Sequence, residues 1–208
     1  MGDDRIDWDN LTDAEIAAQP GPTRFTILEG GKTPRSKLKL LDETPFLKTI
    51  KPFSWVIRRV LLKGMVYTFT AHAGVGKTTL ATLFAYLVGA RELPTRRFGP
   101  YEVKPGRVVM LAGESPEMAV RLRHACRLHY GITGPADIQT VPGRFSLRNQ
   151  FDELKAMIGP RDISLLVVDT AASFFEGAEE NSNTEMADYA FRLRRLSSEL
   201  PGNPCVLV

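Results

Sequence analysis

The sequence predicts an α/β fold, with a mostly parallel central sheet flanked by helices. Three observations predict it. Short apolar runs rich in branched and aromatic residues lie at 66–70, 108–112, 163–168 and 205–208, each of strand length. Between them apolar residues recur at helical spacing: Leu80, Leu83, Phe84 and Leu87 after the first run, then Met118, Leu122 and Cys126 after the second. Strand and helix alternate from about Phe46 onwards, and no internal repeat or long low-complexity segment competes with them. In such sheets ligands gather beyond the carboxyl ends of the strands, so functional residues are expected just after each apolar run.

Composition sets the outer limits. A chain of 208 residues, 43% hydrophobic and 25% charged, can bury one sizeable core. Residues 1–44 are polar and broken by Gly and Pro, and read as a loosely ordered arm with one helix signal where Thr12 and Glu15 stand at capping-box spacing. Residues 45–208 read as the main domain. The arm's acidic start (Asp3, Asp4, Asp7, Asp9) and basic stretch (Lys32, Arg35, Lys37, Lys39) read as solvated, with partner binding as the alternative. The apolar stretch 83–90 falls far short of the roughly 20 residues that span a bilayer, and the acidic start is unlike a signal peptide. A cytoplasmic protein without a membrane partner is expected. Cys126 and Cys205 form neither a disulfide framework nor a metal-ligand spacing. The net charge of +3 and pI near 8.9 permit contact with nucleic acid without requiring it.

The chemistry begins directly after the first apolar run, at Ala71-His72-Ala73-Gly74-Val75-Gly76-Lys77-Thr78-Thr79. Strand, glycine-rich loop and helix follow one another as a phosphate-binding P-loop requires. Gly74 and Gly76 let the backbone turn tightly, so that N–H groups and the helix N-terminus face anionic oxygens. Ala73, Gly74, Val75, Gly76, Lys77, Thr78 and Thr79 are therefore the expected nucleotide-binding residues. Lys77 would reach the β- and γ-phosphates, and the Thr78 hydroxyl would enter the coordination of Mg²⁺. Thr79 would support the loop. Ala71 stands where the stricter pattern has glycine, a small-for-small exchange. His72 reads as a solvated loop histidine, with contact to nucleotide or a partner as the alternative.

Two carboxylates complete the expected site. Asp169 ends the apolar run 163–168, the pattern of a Walker B segment, and is the expected acid on the metal side, directly or through water. A turn-capping aspartate is the alternative. The next residue is Thr170 rather than a glutamate, so the group that orients the attacking water must come from elsewhere. Glu114, just beyond the run 108–112 at the same sheet edge, is the expected one. Ser115 and Pro116 fit an N-cap and first helical residue, which leaves structural capping as the alternative role for Glu114.

The combination resembles RecA-like ATPases, more specifically the RepA-like replicative helicase ATPases of plasmids and phages. The resemblance runs from about Phe53 onwards through the P-loop, Phe98-Gly99, Gly106-Arg107-Val108-Val109, Ala112-Gly113-Glu114 and Leu166-Val167-Val168-Asp169-Thr170. It implies ATP and Mg²⁺ as cofactors, with Lys77, Glu114 and Asp169 as the catalytic set. It also implies a homo-oligomeric ring, a hexamer among the choices, acting on single-stranded DNA in replication or recombination. A nucleotide-dependent switch or loader that binds a protein partner is the alternative, and a binding module without hydrolysis a third. The acidic and amide-rich loop 176–183 resembles the family as well. His72 occupies the place where a partition-type ATPase would carry a further lysine, which argues against that class. The run 205–208 looks like a strand between the P-loop and Walker B strands, cut off before an expected phosphate sensor, so the resemblance implies a core incomplete at its C-terminal end. Arg121, Arg123, Arg127, Arg192, Arg194 and Arg195 read as solvated helix faces rather than as a trans-acting arginine.

Overall fold

A computed structural model of the chain describes residues 42–48, 52–72, 74–93, 95–114, 116–177 and 182–208, with the backbone alone at Pro116. The capping-box signal at Thr12 and Glu15, the charged stretches of the arm, Ala73 and Ser115 lie outside these residues. The chain divides into a unit from Met1 to Phe53 and a unit from Ser54 to Val208. In the first, α1 (Glu43–Leu47) is a short helix with no buried residue.

The second unit opens with a hairpin of β1 (Trp55–Ile57) and β2 (Leu61–Leu62), followed by β3 (Val66–Tyr67) and α2 (Lys77–Gly89). A second hairpin, β4 (Arg97–Phe98) with β5 (Tyr101–Glu102), turns through Gly99 and Pro100. Then come β6 (Val108–Ala112), α3 (Pro116–Tyr130), β7 (Ile138–Pro142), α4 (Phe151–Ile158), β8 (Leu165–Asp169), α5 (Ala171–Phe174), α6 (Asn183–Glu199) and β9 (Cys205–Leu207). The fold is α/β, RecA-like: five parallel strands in the order β3-β9-β8-β6-β7 with helices on both faces.

The apolar runs are buried on both faces because their side chains alternate between two cores. Val108, Met110, Leu165, Val167, Cys205 and Leu207 face α2 and the two hairpins, where they meet Phe84, Leu87 and Val88. Val109, Leu111, Leu166, Val168 and Val206 face the other way, onto Phe151 and Leu154 of α4, Phe174 of α5 and Leu193 and Leu196 of α6. At the far edge of this sheet, buried Arg107 donates to Gln139 Oε1 and to the carbonyl of Arg161, satisfying N–H donors while tying the starts of β6, β7 and β8.

The structure departs from the sequence reading at four places. The helix after the P-loop is not a one-faced helix: Leu80 and Leu83 are only half-buried, whereas every residue from Phe84 to Gly89 is buried, because sheet, hairpins and α3 enclose it. On α3 the inward residue of the first turn is Ala119, and Met118 points outward at 49% exposure. The sequence reading lacks β7 because its residues, Gln139 and Thr140 among them, are half-buried or exposed at a sheet edge and carry no continuous apolar run. The first strand is shorter than 66–70, yet its ladder goes on, since Phe69 N–H donates to Val208 O at 2.8 Å and Val208 N–H to Tyr67 O at 2.9 Å. As expected, β9 lies between β3 and β8.

Candidate active site at the carboxyl edge of the sheet

The loop between β3 and α2 owes its shape to two glycines. Gly74 has φ +79° and Gly76 φ +94°, and the space around Gly74 is open, so conformation rather than crowding excludes a side chain there. Gly76 is the N-cap of α2 and offers no side chain to the first turn, which also holds no acidic residue. The N–H groups of Lys77, Thr78 and Thr79 precede the first intrahelical bond, made by Leu80 N–H to Gly76 O at 2.9 Å. Those donors and the positive end of the helix favour an anion. The Lys77 ammonium bends back over the loop, donating to the carbonyls of Ala71 at 2.7 Å and His72 at 3.1 Å. The His72 side chain is exposed, as are Val75 and Thr79.

Asp169 is the last residue of β8 and half-buried. Thr78 Oγ1 donates to its Oδ1 at 3.0 Å, which joins the first turn of α2 to the end of a strand far along the chain. Burial pushes the Asp169 carboxyl above its ordinary value, and the charge of Glu114 adds to this, while the Thr78 hydroxyl and Lys77 pull it back down. The peptide bond from Asp169 to Thr170 is cis.

Glu114 reaches the same place from β6. Ala112 stands opposite Asp169 in the parallel register, and Gly113 N–H donates to Asp169 O at 2.8 Å. Glu114 follows on the turn before α3, exposed to solvent and close enough for its charge to act on Asp169. Lys77, Thr78, Asp169 and Glu114 thus meet at one edge of the sheet.

A family model described as an AAA domain matches residues 32–203, most of the chain. The chain belongs to this family of P-loop ATPases. No curated protein matches it. Nucleotide binding and ATPase activity are the general property of the family, and the cradle of this AAA domain has the polarity for it.

The donor set also fits Mg²⁺. A hydroxyl and a carboxylate are hard oxygen ligands, and Thr78 and Asp169 already hold theirs 3.0 Å apart. Among the described residues no group of three or more His, Cys, Asp or Glu is placed to hold a metal ion. Among the same residues no helix is long and apolar enough to cross a membrane.

Of the arginines expected on solvated faces, Arg121 and Arg194 are exposed, whereas Arg123, Arg127 and Arg195 are half-buried and Arg192 is buried. Arg192 is 8% exposed and ion-paired to Glu176 at 2.9 Å and Asp188 at 2.6 Å. Arg194 donates to Gly64 O at 2.6 Å, while Arg195 pairs with Glu199 at 2.8 Å and lies over the Phe151 ring. Arg123 turns inward to Thr140 Oγ1 and Met110 Sδ, and Arg127 ties down the loop after α3 through the carbonyls of Thr133 and Gly134. Periodicity missed these roles because each partner lies on another element or beyond the helix end, except for the Arg195–Glu199 and Arg192–Asp188 pairs. Of the loop 176–183, residues 178–181 lie outside the described residues.

Proposed function

We propose that this AAA domain hydrolyses ATP with Mg²⁺ through Lys77, Thr78, Asp169 and Glu114, and serves a DNA replication or recombination motor of the RepA-like helicase kind. The observation that carries the reading is the 3.0 Å hydrogen bond from Thr78 to Asp169, with the charges of Lys77 and Glu114 near enough to act on that carboxylate. A phosphate-binding turn and a metal-side carboxylate in direct contact are what triphosphate chemistry needs in one place.

In this reading the N–H groups of Ala73 to Thr79 hold the phosphates, and the Lys77 ammonium exchanges its carbonyl partners for anionic oxygens. Thr78 and Asp169 hold Mg²⁺, which when bound neutralises charge on the β- and γ-phosphates. Glu114 orients a water at the terminal phosphate and takes its proton as the water oxygen bonds to phosphorus. The bond to the bridging oxygen breaks, leaving ADP and phosphate. Positioning and charge carry most of the acceleration, so the carboxylate's place matters more than its basicity. The motor role brings with it a homo-oligomeric ring, a hexamer among the choices, and single-stranded DNA as partner.

Steady-state ATPase and equilibrium nucleotide binding test this. Glu114→Gln is expected to lower turnover by about 100-fold or more while ATP stays bound, and Lys77→Ala to lose both. Unchanged turnover in Glu114→Gln would falsify the assignment of the base. Single-stranded DNA is expected to stimulate hydrolysis. Full hydrolysis with no response to DNA moves the protein to the switch or loader class.

A further inference from the structure

We infer that Gly113 is a positioning residue for catalysis, because its missing side chain lets the Glu114 turn seat directly on α5 and against Asp169. Two segments distant in sequence meet there. The turn after β6 lies on Ser173 and Phe174, which end α5, the short helix directly after β8. A Cβ on Gly113 would stand 2.6 Å from Ser173 Cβ, 2.9 Å from Phe174 Cε2 and 3.1 Å from Phe174 Cζ. None of these atoms can retreat easily. Phe174 is 0% exposed and packed edge-on against Phe145 at 5.2 Å, and Ser173 is 9% exposed.

Conformation does not demand glycine at this position, since Gly113 is not among the residues with positive φ. Space does. Nor is the close seat incidental to the chemistry, because the same residue donates its N–H to Asp169 O at 2.8 Å and precedes Glu114 directly. Any side chain at 113 must lift the turn from α5, and the lift moves Glu114 away from the Thr78–Asp169 pair. The P-loop is built on β3 and α2, which carry neither Gly113 nor the atoms of Ser173 and Phe174 that crowd it. Gly113 is therefore a determinant of turnover and not of nucleotide affinity.

The inference rests on Glu114 acting as the base, and the experiment separates the two. Gly113→Ala in the full chain is expected to lower kcat about 100-fold, the cost of a displacement near 1 Å, with ATP affinity held. In a Glu114→Gln background the same change is expected to add no further loss, because no base remains to be misplaced. Adding Ser173→Gly, which removes the nearest obstructing atom, is expected to restore part of the kcat lost in Gly113→Ala. Full turnover in Gly113→Ala, equal loss of ATP affinity, or a further multiplicative loss beyond Glu114→Gln overturns the inference. If Gly113→Ala does not fold, Phe174→Leu decides, since withdrawing the ring must lower kcat at constant ATP affinity, and an unchanged kcat overturns the inference. Unchanged turnover in Glu114→Gln sinks the reading of the base itself, whereas loss there beside full turnover in Gly113→Ala sinks only the positioning role.

Discussion

The phosphate loop and the Glu114 turn both depend on glycine, for opposite physical reasons. Gly74 and Gly76 stand where the backbone is left-handed and the surroundings are open. Gly113 has no left-handed backbone, but stands where neighbouring atoms leave no room for a Cβ. The first constraint is written into a local turn and protects the binding of phosphate. The second arises between two segments and protects the placement of a carboxylate. Binding and turnover are thus guarded by different glycines, and substitution should separate them.

The largest effect is expected where a loop glycine is lost at its most demanding φ. Gly76→Val is expected to abolish measurable ATP binding by equilibrium titration, because a β-branched residue at φ +94° must rebuild the start of α2. Retained binding would break the comparison at once. Next comes Gly113→Ala, with its loss in kcat alone. Gly74→Ala is expected to be milder. Its neighbourhood is open, so only the left-handed strain of about 1–2 kcal/mol acts, weakening ATP binding by about tenfold. Equal losses in binding and kcat for Gly74→Ala and Gly113→Ala would show that the two regions do not differ in this way.

The smallest effect concerns the core that carries both regions, through Cys205 of β9 and Tyr189 of α6. Burial pushes the Cys205 thiol up from 9.0 to about 12 and the Tyr189 hydroxyl up from 10.0 to about 12. Both groups keep their protons in the folded protein while the unfolded chain ionises, so their contribution is complete below about pH 9 and is lost as pH rises towards 12. Denaturation midpoints should fall across that window, less steeply in Tyr189→Phe. A flat alkaline profile would contradict the burial of both groups.

The legible parts of the site were those carried by contiguous residues. The run 71–79 announces its own turn and helix start, and Asp169 announces itself by ending an apolar strand. Glu114 followed from the rule that ligands gather at the carboxyl edge, and the parallel register of Ala112 with Asp169 brings it there. Arg192 was misread because helical spacing suggests a solvated face, whereas Glu176 from the preceding loop joins Asp188 to pair with it in a nearly closed environment. The edge strand β7 was missed because half-burial leaves no apolar run to read.

By itself the sequence determined the alternation of strands and helices, the phosphate loop and the carboxylate at the end of β8, since each depends on residues that are neighbours along the chain. Tertiary structure alone decided that Thr78 touches Asp169, that α2 is enclosed from Phe84 to Gly89, and that Gly113 has no space for a methyl group. Those facts depend on which remote atoms arrive at a place, and close packing makes a gap of less than an ångström decisive there.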